Sequence, residues 1–217
     1  MERILLRVNK RVESVGNCDI ISMKVGGQTV YKLCKTEQSA IRQRQLELGL
    51  MEAMANRHYD EISVSDLCER LQIPRKSFYR YFSGKDGALH ALIDHTLLEF
   101  EWISVDRRGK EEQVRQWLER FFRFWLQRKT LLDVLQRSGL SGVLIERSIN
   151  QAMQEAGIGG QSSDRWELAQ QQNAAMFAVC GLMSVMLQWH HSGYNVPPDR
   201  MGEIAVSILT QPLWKEP

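Results

Sequence analysis

An all-α chain with a helix-turn-helix near its N-terminal side is predicted by three observations. Residues 63–82 read as two short amphipathic helices joined by a tight turn, and helical hydrophobic spacing recurs from residue 85 onward. Only Pro197 and Pro198 interrupt that C-terminal body before Pro212, which suits long helices.

The motif is built from the cap outward. Ser63 is placed to accept the Asp66 backbone N–H while Asp66 reaches back, a capping box that puts the acid at the favourable end of the helix dipole. Val64, Leu67, Cys68 and Leu71 then fall on one stripe over two turns. Gln72-Ile73 is too short for a loop, and Pro74 suits the first turn of a new helix, where its missing N–H goes unused. In that second helix Phe78 and Phe82 point inward, while Arg75, Lys76, Tyr79 and Arg80 share the opposite face. From Arg70 to Lys85 there are five cations and no acid, although the whole chain carries only +2. A solvated cationic surface is the ordinary reading of such a run. The cap, the turn and the cationic second helix occurring together favour a reader of the DNA major groove. Arginine grips guanine edges, and lysine, tyrosine and serine hydroxyls hold phosphates. The residues predicted to contact DNA are Ser63, Ser65, Arg75, Lys76, Ser77, Tyr79, Arg80 and Lys85.

Over residues 41–97 the chain resembles the DNA-binding domain of the TetR/AcrR family of bacterial transcriptional regulators, most clearly at Tyr79-Arg80-Tyr81-Phe82-Ser83-Gly84-Lys85-Asp86. The resemblance implies a recognition helix at 75–81, a phosphate contact from Lys85 at the start of a fourth helix, and another from Tyr79. Ser83 and Asp86 read as a second capping box. Three positions depart from the family pattern. Pro74 replaces a capping serine or threonine, Lys76 replaces a small residue, and His58 stands where glycine is common. Lys76 is expected to add a phosphate or base contact, and His58 to bear strain if its site needs positive φ.

Composition agrees with a soluble globular protein: 217 residues, 43% hydrophobic and 25% charged, make one large or two small domains. Four cysteines (Cys18, Cys34, Cys68, Cys180) form no Cys-x-x-Cys pair, and Cys68 and Cys180 lie in apolar stripes as small buried hydrophobes. Ile4-Leu5-Leu6 is too short for a signal peptide, and the apolar run at 174–187 too short for a bilayer span. The expectation is a cytoplasmic protein, on the nucleoid when bound to DNA, with no membrane partner. His95, His190 and His191 lack a supporting carboxylate pattern, and no Gly-rich phosphate loop, Gly-x-Ser-x-Gly elbow or His-Glu-x-x-His pair occurs. No catalytic residue, metal site or cofactor is expected, and the chain is not read as an enzyme.

Helices are predicted in order along the chain. Thr36 caps one running to about Arg57 with Leu46, Leu50, Ala53 and Met54 buried; the next after the motif buries Leu89, Leu92, Ile93, Leu97 and Phe100. After a break at 106–110, Val114, Trp117, Leu118, Phe121, Phe122, Trp125 and Leu126 form a broad aromatic face. Shorter helices at 131–136 and 141–156 precede a Gly-rich loop at 157–163, and two final helices cover 164–192 and 198–209. Small residues at Ala174, Ala178 and Gly181 let helices approach closely, with Met186, Trp189, Ile204 and Ile208 beside them. One monomer core would explain this stripe. A dimer interface of two helices from each chain is what the resemblance implies, and a palindromic operator on double-stranded DNA needs two readers about 34–36 Å apart. The resemblance also implies a small-molecule effector pocket, for which Trp117, Phe121, Phe124, Trp125 and Trp166 are the candidate lining, although such a stripe is more often packed core.

The first 35 residues lie outside the family pattern. The β-prone runs 19–25 and 28–34, separated by Gly26-Gly27, predict a hairpin, marginal in water unless it packs on something. Seven cations (Arg3, Arg7, Lys10, Arg11, Lys24, Lys32, Lys35) face three acids there, so this arm is either a second DNA contact or an extension with no role. The expected organisation is thus an extension at 1–35, a helix-turn-helix domain at 36–84, and an effector-binding and dimerisation domain at 85–217. Two functions fit: a homodimeric repressor released from its operator by an effector, or a protein-binding coregulator with a vestigial DNA face. The cationic run favours the first, since a vestigial reader has no reason to exclude acids.

Overall fold

The computed structural model describes residues 23–25, 28–32, 34, 36–100, 111–155 and 165–210. The helix break at 106–110, the loop at 157–163, the Gly26-Gly27 turn and the cations before Met23 lie outside these residues.

Chain contacts divide the protein into two units, one of residues 1–99 with 134–143 and the other of residues 100–133 with 144–217. In the first, β1 (Met23–Val25) pairs antiparallel with β2 (Gln28–Tyr31). Helix α1 (Glu37–Asn56) follows, and Thr36 caps it by accepting the Ser39 N–H at 3.3 Å. A 3-10 turn (Tyr59–Glu61) leads into α2 (Val64–Arg70), α3 (Arg75–Tyr79) and α4 (Lys85–Leu98). Leu46, Leu50, Met54, Leu67, Phe78, Phe82, Leu89, Leu92 and Ile93 are its buried core. Helix α4 packs on α1 and β2 and groups with them in this unit. At Gly49 of α1 the end of α2 comes close, since a Cβ there would sit 2.7 Å from Leu71 Cδ1 and push that side chain aside.

The second unit is built from long helices. It holds α5 (Glu111–Leu126), the start of α6 (Lys129–Arg137), most of α7 (Ser141–Glu155), α8 (Arg165–His191) and α9 (Pro198–Thr210). Helix α5 buries Leu118, Phe121, Phe122 and Trp125, the face its spacing predicts. Helix α9 crosses α5 so closely that a Cβ at Gly202 would lie 3.1 Å from the Glu119 backbone nitrogen. Among the described residues no helix is long and apolar enough to cross a membrane.

Candidate nucleic-acid interface

The turn between α2 and α3 is set by backbone conformation. Leu71 ends α2, Gln72 takes the left-handed region at φ 53°, and the Ile73 N–H returns to the Cys68 carbonyl at 2.9 Å. That closure is the way helices commonly stop, although glycine usually fills the left-handed site. Pro74 is the N-cap of α3 rather than a residue of its first turn, with extended backbone and no side-chain cap bond. The regular part of α3 ends at Tyr79, two residues short of the expected 81, and a further turn continues through the Tyr81 and Phe82 N–H bonds to the Phe78 carbonyl.

The faces of α3 divide as the spacing predicts. Phe78 is fully buried and packs on Phe82 with ring centroids 5.2 Å apart, while Tyr79 is 46% exposed. Arg75, Lys76 and Arg80 are exposed, and none makes an ion pair with a described residue. The other two cations of the run are engaged: Arg70 lies 3.8 Å from Glu52, and Lys85 Nζ donates to the Tyr59 carbonyl at 2.7 Å. Ser63 accepts the Asp66 N–H at 3.1 Å and Asp66 accepts the Ser63 N–H at 2.9 Å, as the capping box requires. The Ser63 backbone N–H, followed by its hydroxyl, holds the Asp66 carboxyl below its usual range. Ser65 is exposed on α2 and Ser77 half-buried on α3.

Two local expectations are corrected. His58 has φ −64°, so it bears no strain; it caps the 3-10 turn, with the Glu61 carboxylate accepting its N–H at 3.1 Å. The N-cap of α4 is Gly84 and not Ser83, without a side-chain cap bond, and the Asp86 carboxylate accepts from the Tyr59 hydroxyl at 2.5 Å. Burial, then the Asp86 partner, raises the Tyr59 phenol above its ordinary value. Tyr59 was not singled out in the sequence. It is buried, its ring lies 4.1 Å under Lys85 Nζ, and its carbonyl takes that ammonium, so one residue orients the cation at the head of α4.

The scaffold behind α3 is ionic. Glu47 is fully buried, bonded to His95 Nδ1 at 2.9 Å and to Arg44 at 3.0 Å, and Arg44 reaches Glu99 at 2.8 Å. Burial alone would lower the His95 pKa, but the Glu47 carboxylate overrides it and the value is raised. Cys34 donates to Gln43 Oε1 at 2.8 Å, and burial, then the charge of Glu47, pushes its thiol up to about 11. That is the setting of an inert thiol.

In the second unit the predicted effector residues part company. Trp117 and Phe121 stack at 6.0 Å, Phe124 meets Trp125 edge-on at 5.3 Å, and Phe100 touches the first three. Phe121 and Trp125 are closed into core at 0% and 1% exposure, whereas Trp166 is 79% exposed. An open hollow of about 400 Å³ lies elsewhere, lined by Val185, Trp189 and Met201 with Ser184, Gln188, Ser192 and Asn195. The dimer candidates divide likewise. Ala174, Ala178, Gly181, Ile204 and Ile208 are exposed, but Met186 and Trp189 face inward, Trp189 giving its Nε1–H to the Val196 carbonyl at 2.7 Å. Those two are core and not contact surface. Phe177, on the same helix as the small residues, is 76% exposed.

Residues 49–92 match the family described as bacterial regulatory proteins, tetR family. Among solved structures the chain is similar to a TetR-family transcriptional regulator of Syntrophomonas wolfei (14% identity over 80% of this chain and 97% of that one, TM-score 0.56). It is also similar to a tetR-family regulator of Streptomyces coelicolor (17%, covering 81% and 80%, TM-score 0.50). A third likeness is to the fatty acid degradation regulator FadR of Bacillus halodurans (16%, covering 84% and 100%, TM-score 0.50). At these identities the structural likenesses are ones of fold. No curated protein matches the chain in sequence.

Proposed function

We propose that this chain, a DNA-binding transcriptional regulator whose helix-turn-helix is of the tetR family, acts as a homodimeric repressor that leaves its operator when a small apolar or amphipathic molecule binds the helical body. The observation that carries the DNA reading is the outer face of α3, where Arg75, Lys76 and Arg80 stand exposed without an acid partner among the described residues. The family is one of regulators and not of enzymes.

Dimerisation is supported by the uncovered face of α8 and α9. On α8 Phe177 is 76% exposed near Ala174, Ala178 and Gly181, and on α9 Ile204 is 43%, Ile208 44% and Leu209 59% exposed. Nothing lies within 4 Å of a Cβ built on Gly181, so a second helix can approach there. The proposed seat of the effector is the ring cluster of Trp117, Phe121, Phe124 and Trp125, closed here into core at Phe121 and Trp125, so that half-buried Trp117 and Phe124 must part to admit it. The test is binding of the purified protein to its own upstream region and to random DNA across a salt series. A preference of about a thousand-fold or more supports a specific regulator. Arg75→Ala or Arg80→Ala should cost about 1–3 kcal/mol on the specific site and relax its sequence preference, while Lys85→Ala weakens all DNA alike. Equal losses from all three on both DNAs would defeat these roles, and a monomer by light scattering at micromolar concentration would defeat the dimer.

A further inference from the structure

We infer that the strand β2 is docked on the reader in order to hold Lys32 against DNA phosphate, as a second contact beside α3; this rests on the DNA reading above. The attachment is specific. Tyr31 forms an antiparallel bridge with Phe82, and the Lys32 N–H donates to the Tyr81 carbonyl at 3.0 Å. The Tyr31 side chain is 4% exposed, gives its hydroxyl to Asp94 at 2.5 Å and meets the His95 ring edge-on at 5.9 Å. A two-stranded hairpin is marginal on its own in water. Here its last residue is clamped by the end of the recognition segment and by α4.

The consequence falls on the next residue. Its bond to Tyr81 places the Lys32 backbone beside the neighbour of Arg80, and its side chain is exposed with no ion pair among the described residues. Lys32 thus brings a further exposed cation to the end of the segment that carries Arg75, Lys76 and Arg80, a segment with no acid between residues 70 and 85. A lysine is a compact point charge suited to a phosphate and poorly suited to reading a base edge. The contact thus adds affinity without sequence preference. Had β2 served only to cover Phe82 and His95, the charge at position 32 would be indifferent.

The experiment uses the full chain and a duplex selected by it from a random pool, with a random duplex of equal length, titrated by fluorescence anisotropy over about 50–300 mM salt. Lys32→Gln leaves the Tyr31 clamp intact. It should weaken both duplexes several-fold and make the slope of log K against log salt shallower by about 0.9 for each protomer bound, about 1.8 for a dimer. Lys32→Glu should weaken both further, and Lys32→Arg should restore wild-type affinity and slope. Unchanged affinity and slope in Lys32→Gln and Lys32→Glu, with wild type binding normally, would overturn the arm contact and leave the reader untouched. If the wild-type chain binds neither duplex, the DNA reading itself falls and takes this inference with it.

Discussion

The two units of this protein solve the same problem of holding helices together by different physics. The helix-turn-helix of the reader is short, seven residues in α2 and five in α3, beside the 20 residues of α1 and 14 of α4, and its two helices lie well below the length at which a helix is stable in water. Directional bonds frame them: the Ser63–Asp66 box, Tyr59 to Asp86 and Lys85, and, between α1 and α4, the buried Glu47 with His95 and Arg44. The second unit uses helices of 16, 27 and 13 residues held by rings, with Phe122 against Trp189 at 5.4 Å and Trp189 against Tyr194 at 4.7 Å. Directional bonds fix where side chains point, as a DNA-reading helix needs. Ring packing is tolerant of apolar exchange, which suits the ligand-binding body proposed above.

The contrast breaks most readily by substitution. Glu47→Ala should cost about 2–4 kcal/mol, because it removes the buried carboxylate that joins half-buried Arg44 and His95 and leaves a void in its place. The shape-conserving Glu47→Gln should still cost about 2–3 kcal/mol, since the desolvated charge pair is lost and not merely volume. In the body Phe121→Ala should cost about 3–5 kcal/mol but Phe121→Leu only about 1–2 kcal/mol. Urea denaturation measures all four, and a Glu47→Gln variant as stable as wild type would remove the distinction.

A pH series sharpens it. The His95 pKa is raised in the folded state by Glu47, with Arg44 opposing and Asp94 adding to the effect and the Tyr31 ring alongside. Its contribution to stability is therefore complete below the unfolded value of about 6.5 and is lost as pH climbs through the folded value. Denaturation midpoints should fall across that window in wild type and flatten in His95→Gln.

Smaller effects come from backbone fit. Gly202→Ala meets the Glu119 backbone at 3.1 Å and should destabilise by about 1 kcal/mol, overpacking outweighing helix propensity. Gly181→Ala, open on all sides, should stabilise the folded chain by about 0.5–1 kcal/mol while weakening the proposed dimer, a separation that sedimentation at several concentrations would reveal. Smallest, Gln72→Gly should relieve the left-handed residue at φ 53° and gain at most about 1 kcal/mol by thermal melting.

What was legible in the sequence follows the same divide. The caps at Thr36 and Ser63 and the inward Phe78 and Phe82 are visible because each depends on residues within four positions. Tyr59 with Asp86 is invisible because its partners lie 27 residues apart, and Glu47 with His95 because theirs lie 48 apart. The aromatic face of α5 was readable from its sharp amphipathicity. Helix α8 mixes small and large apolar residues around its circumference, so its inward face could not be phased, and Met186 and Trp189 were assigned to the surface they turn away from. Trp166 looked like pocket lining by residue type alone, and nothing local marks it as exposed.

Lys85 has a further consequence for binding. Its ammonium is already held by the Tyr59 carbonyl and ring before any DNA arrives. A free lysine carries about 2 kcal/mol of rotamer entropy, and the freedom this one gives up is lost when the chain folds. On the proposed reading the phosphate meets a preorganised charge, and little further freezing is charged against the complex. Such a contact should show up in the lifetime of the bound state more than in the rate of encounter.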